Sequence, residues 1–172
     1  MSWKNLFILS CGQFMNPMDI SNLIATVDTV ISSPVPLGSS HAAQDFRQQL
    51  DKFQELVDQI NRLDLDTSEF SFVRALVLFQ QCKDCLSTIG GGYLELTDQL
   101  RLTLARLMVI NKPDQPYRPE KLFGLLAELN SVSSNTLHKI FFKSALGEDA
   151  PIDKIVVDIF KNSAPVPTAV TV

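Results

Sequence analysis

The stretch Phe70-Ser-Phe-Val-Arg-Ala-Leu-Val-Leu-Phe79 constrains this chain more than any other, because it reads as a helix that is apolar almost all the way round. A helix on the surface of a soluble protein keeps a polar face, so one without such a face is covered on both sides. That calls for at least three helical layers with this helix in the middle, an arrangement that few small all-α folds have. The start of the helix is marked as well. Asp66-Thr-Ser-Glu69 has the spacing of a capping box, in which the Glu69 carboxylate reaches back to the cap residue. At 172 residues, 45% of them apolar and only 7 of them glycine, the chain is expected to be one helix-rich domain with a sizeable core.

Helical periodicity accounts for most of the rest, with no alternating strand pattern and no internal repeat. The first helix spans about Ser2 to Phe14 and stops before Asn16-Pro17. A short helix is expected within Met18–Ile31, and Ser32–Ser40 has the composition of a loop. Phe46, Leu50, Phe53, Val57, Ile60 and Leu63 share one face of a long helix. Gly90-Gly-Gly92 separates the central helix from an amphipathic one over Tyr93–Ile110, and Asn111-Lys-Pro-Asp-Gln-Pro116 is a turn-rich connector. Leu122, Leu125, Leu126 and Leu129 mark the next helix, which weakens over Asn130–Asn135 and resumes through Leu137, Ile140, Phe141 and Ala145. Gly147 suits a helix C-terminus, and the tail 164–172 is expected to be disordered.

Between Gly147 and that tail lies a short amphipathic helix, Pro151-Ile-Asp-Lys-Ile-Val-Val-Asp-Ile-Phe160. Pro151 suits the first helical position, and Asp153 favours the positive end of the helix dipole. Ile152, Ile155, Val156, Ile159 and Phe160 share a face, and Asp158 points away from it. So short a helix needs a surface to dock on, as a lid on its own core or as part of a binding groove.

Several function classes are disfavoured. A net charge of -4 argues against nucleic-acid binding by this chain. Leu94–Ile110 carries Glu95, Asp98, Arg101 and Arg106, too many charges for a membrane span. Leu6–Gly12 has the outline of a signal-peptide core, but its basic region is Lys4 alone, and a buried helix is the better reading. Three cysteines make no disulfide framework and suit a reducing compartment. Cys82-Lys-Asp-Cys85 lacks the strand of a redox motif and the second pair of a zinc site. His41 and His138 have no ligand or triad neighbours, and the triple glycine has no Lys-Ser/Thr after it. No enzyme activity, cofactor or metal is expected. From the residues alone, Glu69 is a cap or half of a buried pair, and Arg118 is a solvated helix start or the other half.

Ser2-Trp-Lys-Asn-Leu-Phe-Ile-Leu9, the Thr67–Phe79 helix, Gln115-Pro-Tyr-Arg118 and Pro151–Phe160 occur in an order that resembles the ligand-binding domain of a nuclear receptor. The likeness covers most of Ser2 to Lys161. Gln13–Asp19, Leu65–Phe70 and the acid of the terminal helix look most like the tailless group, with the photoreceptor-specific branch next. The resemblance implies an antiparallel three-layer helical sandwich over residues 1–163. Measured against the family, Met1 falls inside the fourth-to-fifth helix. The zinc-finger domain and the preceding helices, one of which normally supplies a clamp lysine, are therefore expected to be missing from this chain.

The family also implies roles for particular residues. The acid at Glu69 pairs with the arginine at Arg118. The helix from Tyr117 onward corresponds to the main dimerisation helix, with Lys121, Leu125 and Glu128 as candidate contacts for a homodimer or a heterodimer with another nuclear receptor, Leu125 reading alternatively as core. Pro119 stands where an apolar residue is commoner. The terminal helix resembles the activation helix, with Asp158 as the acid of a charge clamp and Ile155, Val156, Ile159 and Phe160 as the apolar residues around it. Its expected partners are helical peptides of corepressors, atrophin-type included, or of coactivators, and its expected place is the nucleus. A small apolar ligand is optional, and no arginine in Cys11–Asp19 offers an anchor for a retinoid carboxylate. The competing readings are a helical scaffold or a lipid carrier without receptor activity.

Overall fold

The computed structural model describes residues 3–15, 22, 40–81, 92–142, 152, 154, 155, 157 and 158. Asn22 apart, which is helical, the expectations for Met18–Ile31, Cys82, Cys85 and the tail 164–172 lie outside these residues. The described part is all-α. It comprises α1 (Trp3–Phe14), α2 (Ser40–Leu63), α3 (Thr67–Gln81), α4 (Gly92–Asn111) and α5 (Arg118–Glu128). A 3-10 turn (Leu129–Ser131), the short α6 (Ser134–Leu137) and a π-helical turn (His138–Phe142) continue α5.

Packing follows the apolar stripes. α1 runs along α2, α3 pairs with α4, and α5 rests on both α2 and α4. Leu50, Phe53, Leu56, Val57, Ile60 and Leu63 are the buried stripe of α2, and they meet Ile8 and Leu9 of α1 and Leu122, Leu126 and Leu129 near α5 in one continuous core. Trp3 and Phe7 of α1, Phe53 of α2, and Phe141 and Phe142 of the π turn form a chain of aromatic contacts with ring centroids 4.9–5.9 Å apart. Burial pushes the Cys11 thiol up to about 11, so this cysteine acts as a packing residue.

The helix that its composition singled out is enclosed for most of its surface. In α3, Phe70, Val73, Leu76 and Val77 are buried and Phe72, Arg74, Ala75 and Phe79 half-buried, packed against α4 and α1, while Ser71 and Leu78, 49% exposed, leave one flank open. α1 is the better enclosed: each of its described residues before Phe14 is buried or half-buried. Most of its polar side chains find partners within the fold, although Asn5 Oδ1 is buried without one. The Ser10 hydroxyl donates to the Leu6 carbonyl at 2.9 Å, and the Asn5 amide donates to Asn130 Oδ1 at 3.0 Å. Close approach of α1 to α2 depends on Gly12, where a Cβ would lie 2.5 Å from Ile60 Cγ2 and 2.8 Å from Ile60 Cβ.

The weak segment after α5 is held from outside. Lys4 donates to the carbonyls of Val132 at 2.8 Å and Asn130 at 3.2 Å, and Gln49 Oε1 accepts the Ser133 N–H at 2.7 Å. α1 and α2 thereby satisfy backbone groups that the helix break frees.

Candidate functional site

The tightest polar arrangement joins three helix ends. Asp66 and Glu69 form the reciprocal box at the start of α3: the Glu69 N–H donates to Asp66 Oδ1 at 2.8 Å, and the Asp66 N–H donates to Glu69 Oε2 at 2.9 Å. The same carboxylate receives both arms of Arg118, Nη1 to Oε1 at 2.7 Å and Nη2 to Oε2 at 2.6 Å. Arg118 also donates Nε to the Leu63 carbonyl and Nη2 to the Asp64 carbonyl, each at 2.7 Å. Glu69 is 1% exposed and Arg118 3%. One guanidinium therefore caps the negative end of α2 and clamps the acid at the positive end of α3. It does so from the first residue of α5. Pairing and capping, alternatives at the level of sequence, coexist here because the carboxylate has lone pairs enough for both.

An exposed layer surrounds this node. Asp64 sits at φ 46°, a left-handed conformation that Asp and Asn tolerate, and its carboxylate pairs with Lys112 just after α4. Asn111 Nδ2 donates to Asp66 Oδ2 at 2.6 Å. The hydrogen bond and charge of Lys112 hold the Asp64 carboxyl below its usual range. A depressed carboxylate stabilises the fold above its unfolded pKa, near 3.9, and that contribution disappears as pH falls through the folded value. Asp64→Asn, which keeps the backbone conformation, should flatten the stability–pH curve below about pH 4. The Asp64 side chain is 81% exposed, so the effect should be a few tenths of a kcal/mol and shrink in salt. Urea melts across pH at two ionic strengths measure it.

The terminal segment is helical at 152, 154, 155, 157 and 158. Ile152 is buried at 8% exposed, Ile155 is half-buried and Asp158 is exposed. Val157, outside the expected stripe, is half-buried too. Val156, Ile159 and Phe160 lie outside the described residues.

On α5, Lys121 and Glu128 are exposed, but Leu125 is not an outer residue. It is 3% exposed and belongs to the core with Leu122 and Leu126, because all three lie on the stripe that faces α2 and α4. That corrects its place among the contact candidates: Leu125 is the floor of a groove rather than its rim. The groove, about 870 Å³, runs between the end of α2 (Gln59, Arg62, Leu63) and α5 (Lys121, Gly124, Glu128). Gln59 and Arg62 had carried no local signal. Their position beside α5 depends on contacts across more than 50 residues of chain.

Residues 9–145 match the family described as the ligand-binding domain of nuclear hormone receptor. The chain is 28% identical over 160 residues to nuclear receptor subfamily 2 group F member 5 of Danio rerio, covering 92% of this chain and 38% of that protein. Member 6 of the same group is 27% identical in Homo sapiens and in Mus musculus, again over 92% of this chain, and over 38% and 39% of those proteins. The chain thus spans well under half the length of these relatives.

Proposed function

Because the chain belongs to the family of nuclear hormone receptor ligand-binding domains, we propose that it is a transcription-regulating module, repressive in output and working in the nucleus. It recruits amphipathic helices of co-regulators and pairs with a second receptor domain. The observation behind this reading is the terminal helical segment, with Ile152 buried and Asp158 exposed. A carboxylate held beside a docked apolar stripe offers an acceptor to the free N–H groups at the start of a partner helix. Corepressor helices, of the atrophin type among others, are the proposed occupants, with coactivator helices competing for the same surface. A small apolar ligand is optional in this reading. Lys121 and Glu128, both on the α5 wall of the groove, are the proposed contacts for the second domain.

The tailless-like assignment within the family rests on Gln13–Asp19, Leu65–Phe70 and Asp158. The relatives compared above carry group F names, and the recruitment reading is independent of the branch.

Fluorescence anisotropy of labelled co-regulator helix peptides, titrated with the 172-residue chain, tests the proposal. Asp158→Lys should weaken binding roughly tenfold or more, because it replaces an acceptor at a helix N-terminus with a like charge. The melting temperature should stay put, since Asp158 is exposed. Absence of binding to either peptide class even after the upstream helices are restored leaves the helical scaffold as the better reading.

A further inference from the structure

We propose that residues 134–142 form a strap that opens as a unit about Val132 and Ser133, with Lys4 and Gln49 as the latch that keeps it shut over an aromatic face of α1 and α2. The strap consists of α6, four residues long, and the five-residue π turn. Neither is long enough to be stable without a surface to lie on, and π turns are rare forms found often at functional positions. Helical continuity with α5 is broken just before the strap. Val132 and Ser133 are extended, with ψ 132° and 134°, and the Ser133 side chain makes no capping bond to α6.

Polar contacts from α1 and α2 fall on this break. Lys4 holds the Asn130 and Val132 carbonyls, Asn5 Nδ2 holds the Asn130 side chain, and Gln49 Oε1 holds the Ser133 N–H. Beyond Ser133 the strap meets α1 and α2 through apolar side chains. Phe141 lies on Phe7 and Phe53, Phe142 lies on Trp3 and Phe7, and Leu137 is fully buried. The latch therefore sits at the hinge and the apolar grip at the far end.

Three features work against closure. His138, on the strap and 7% exposed, has its Nε2 buried without a hydrogen-bond partner among the described residues, and so has Asn5 its Oδ1 beside the latch. Buried polar atoms are nearly always paired, and lifting the strap lets water reach the first and loosens the packing around the second. Closing also draws the Lys4 ammonium partly out of water, and that burial holds its pKa below the ordinary lysine value. Apolar packing and orphaned polar atoms thus oppose each other within one short segment, as in elements that open without global unfolding. Opening uncovers Trp3, Phe7 and Phe53 while α2, α3 and α5 stay packed. The device is independent of the co-regulator surface and of the α5 groove.

Native-state hydrogen exchange of the 172-residue chain tests this. In the wild type, the amides of residues 134–142 should be protected roughly tenfold less than those of residues 53–60 in α2. Lys4→Met keeps the stem and removes the donors, and it should cut strap protection roughly tenfold more. His138→Leu removes the orphaned nitrogen and should raise strap protection roughly threefold. Neither change should move α2. Thr136→Cys, made together with Cys82→Ser and Cys85→Ser, gives a second measure. The introduced thiol, at a position 6% exposed in the strap, should react with a maleimide faster than the buried Cys11 of α1. Overturning outcomes are strap amides that exchange only together with α2, a Lys4→Met change that speeds both segments equally, a His138→Leu change that speeds the strap, and an introduced thiol no more reactive than Cys11.

Discussion

Arg118→Ala should cost about 3–5 kcal/mol of folding stability, the range for a buried charge left without its partner. Against the roughly 5–15 kcal/mol that holds a typical domain together, this is the largest loss expected from any single polar change here. The reason is the number of groups that depend on one guanidinium. Its removal leaves the Glu69 carboxylate buried and charged, and orphans the Leu63 and Asp64 carbonyls at the end of α2. Glu69→Gln should fall short of that, because the side-chain oxygen still accepts one arm of Arg118. The more discriminating variant is the pair Glu69→Leu with Arg118→Met. Many buried ion pairs can be exchanged for apolar residues at little cost. This one should not be, since the buried Leu63 carbonyl loses its partner, at about 1–3 kcal/mol, and the part-buried Asp64 carbonyl and Asp66 N–H lose theirs at a smaller cost. Urea midpoints for the two single variants and the pair decide it. A pair as stable as the wild type would mean that the capping contacts contribute nothing.

Gly12→Val should destabilise by about 3 kcal/mol, at the upper end for overpacking a dense core. Valine is the better helix former, but that gain is only a few tenths of a kcal/mol. The clash outweighs it, because the atoms in the way include Ile60 Cβ, the stem of the side chain rather than its mobile tip. Ile60→Ala, itself costly, removes Cγ2 and Cδ1 and should rescue part of the loss in the double variant. Effects that simply add would show that Gly12 and Ile60 are not in close contact.

Local interactions were legible in the amino-acid sequence, and contacts across long stretches of chain were not. The Asp66–Glu69 box was readable because both halves lie within one turn, and its hydrogen bonds have the expected reciprocal pattern. The stripe of α2 was readable from the spacing of Phe53, Val57 and Ile60. Pairing between Glu69 and Arg118 spans 49 residues, and no residue near either one reports it; only the likeness to a family suggested it. The enclosed position of α1 was legible in part, from the apolar run Leu6–Gly12 that reads as a buried helix. Lys4, Asn5, Ser10 and Gln13 make that helix look half polar, yet Asn5 and Ser10 find hydrogen-bond partners inside the fold and Lys4 reaches carbonyls on the 3-10 turn. Composition cannot separate a polar residue that is satisfied internally from one that is solvated. Leu78 shows the converse, an apolar residue in a helix read as fully covered that turns out half exposed.

The bonds from Lys4 and Asn5 to residues 125–128 positions away also set an order of assembly. A ribosome adding roughly 5–20 residues per second needs several seconds or more between making α1 and making its partners beyond α5. Throughout that interval the apolar residues Phe7, Ile8 and Leu9 belong to a nascent helix whose last covering element has not yet been synthesised. Contacts so distant in sequence also slow closure of the fold. Synthesis that stalls before Val132 would therefore release a chain with its innermost helix uncovered, a substrate for chaperones rather than a shorter working domain.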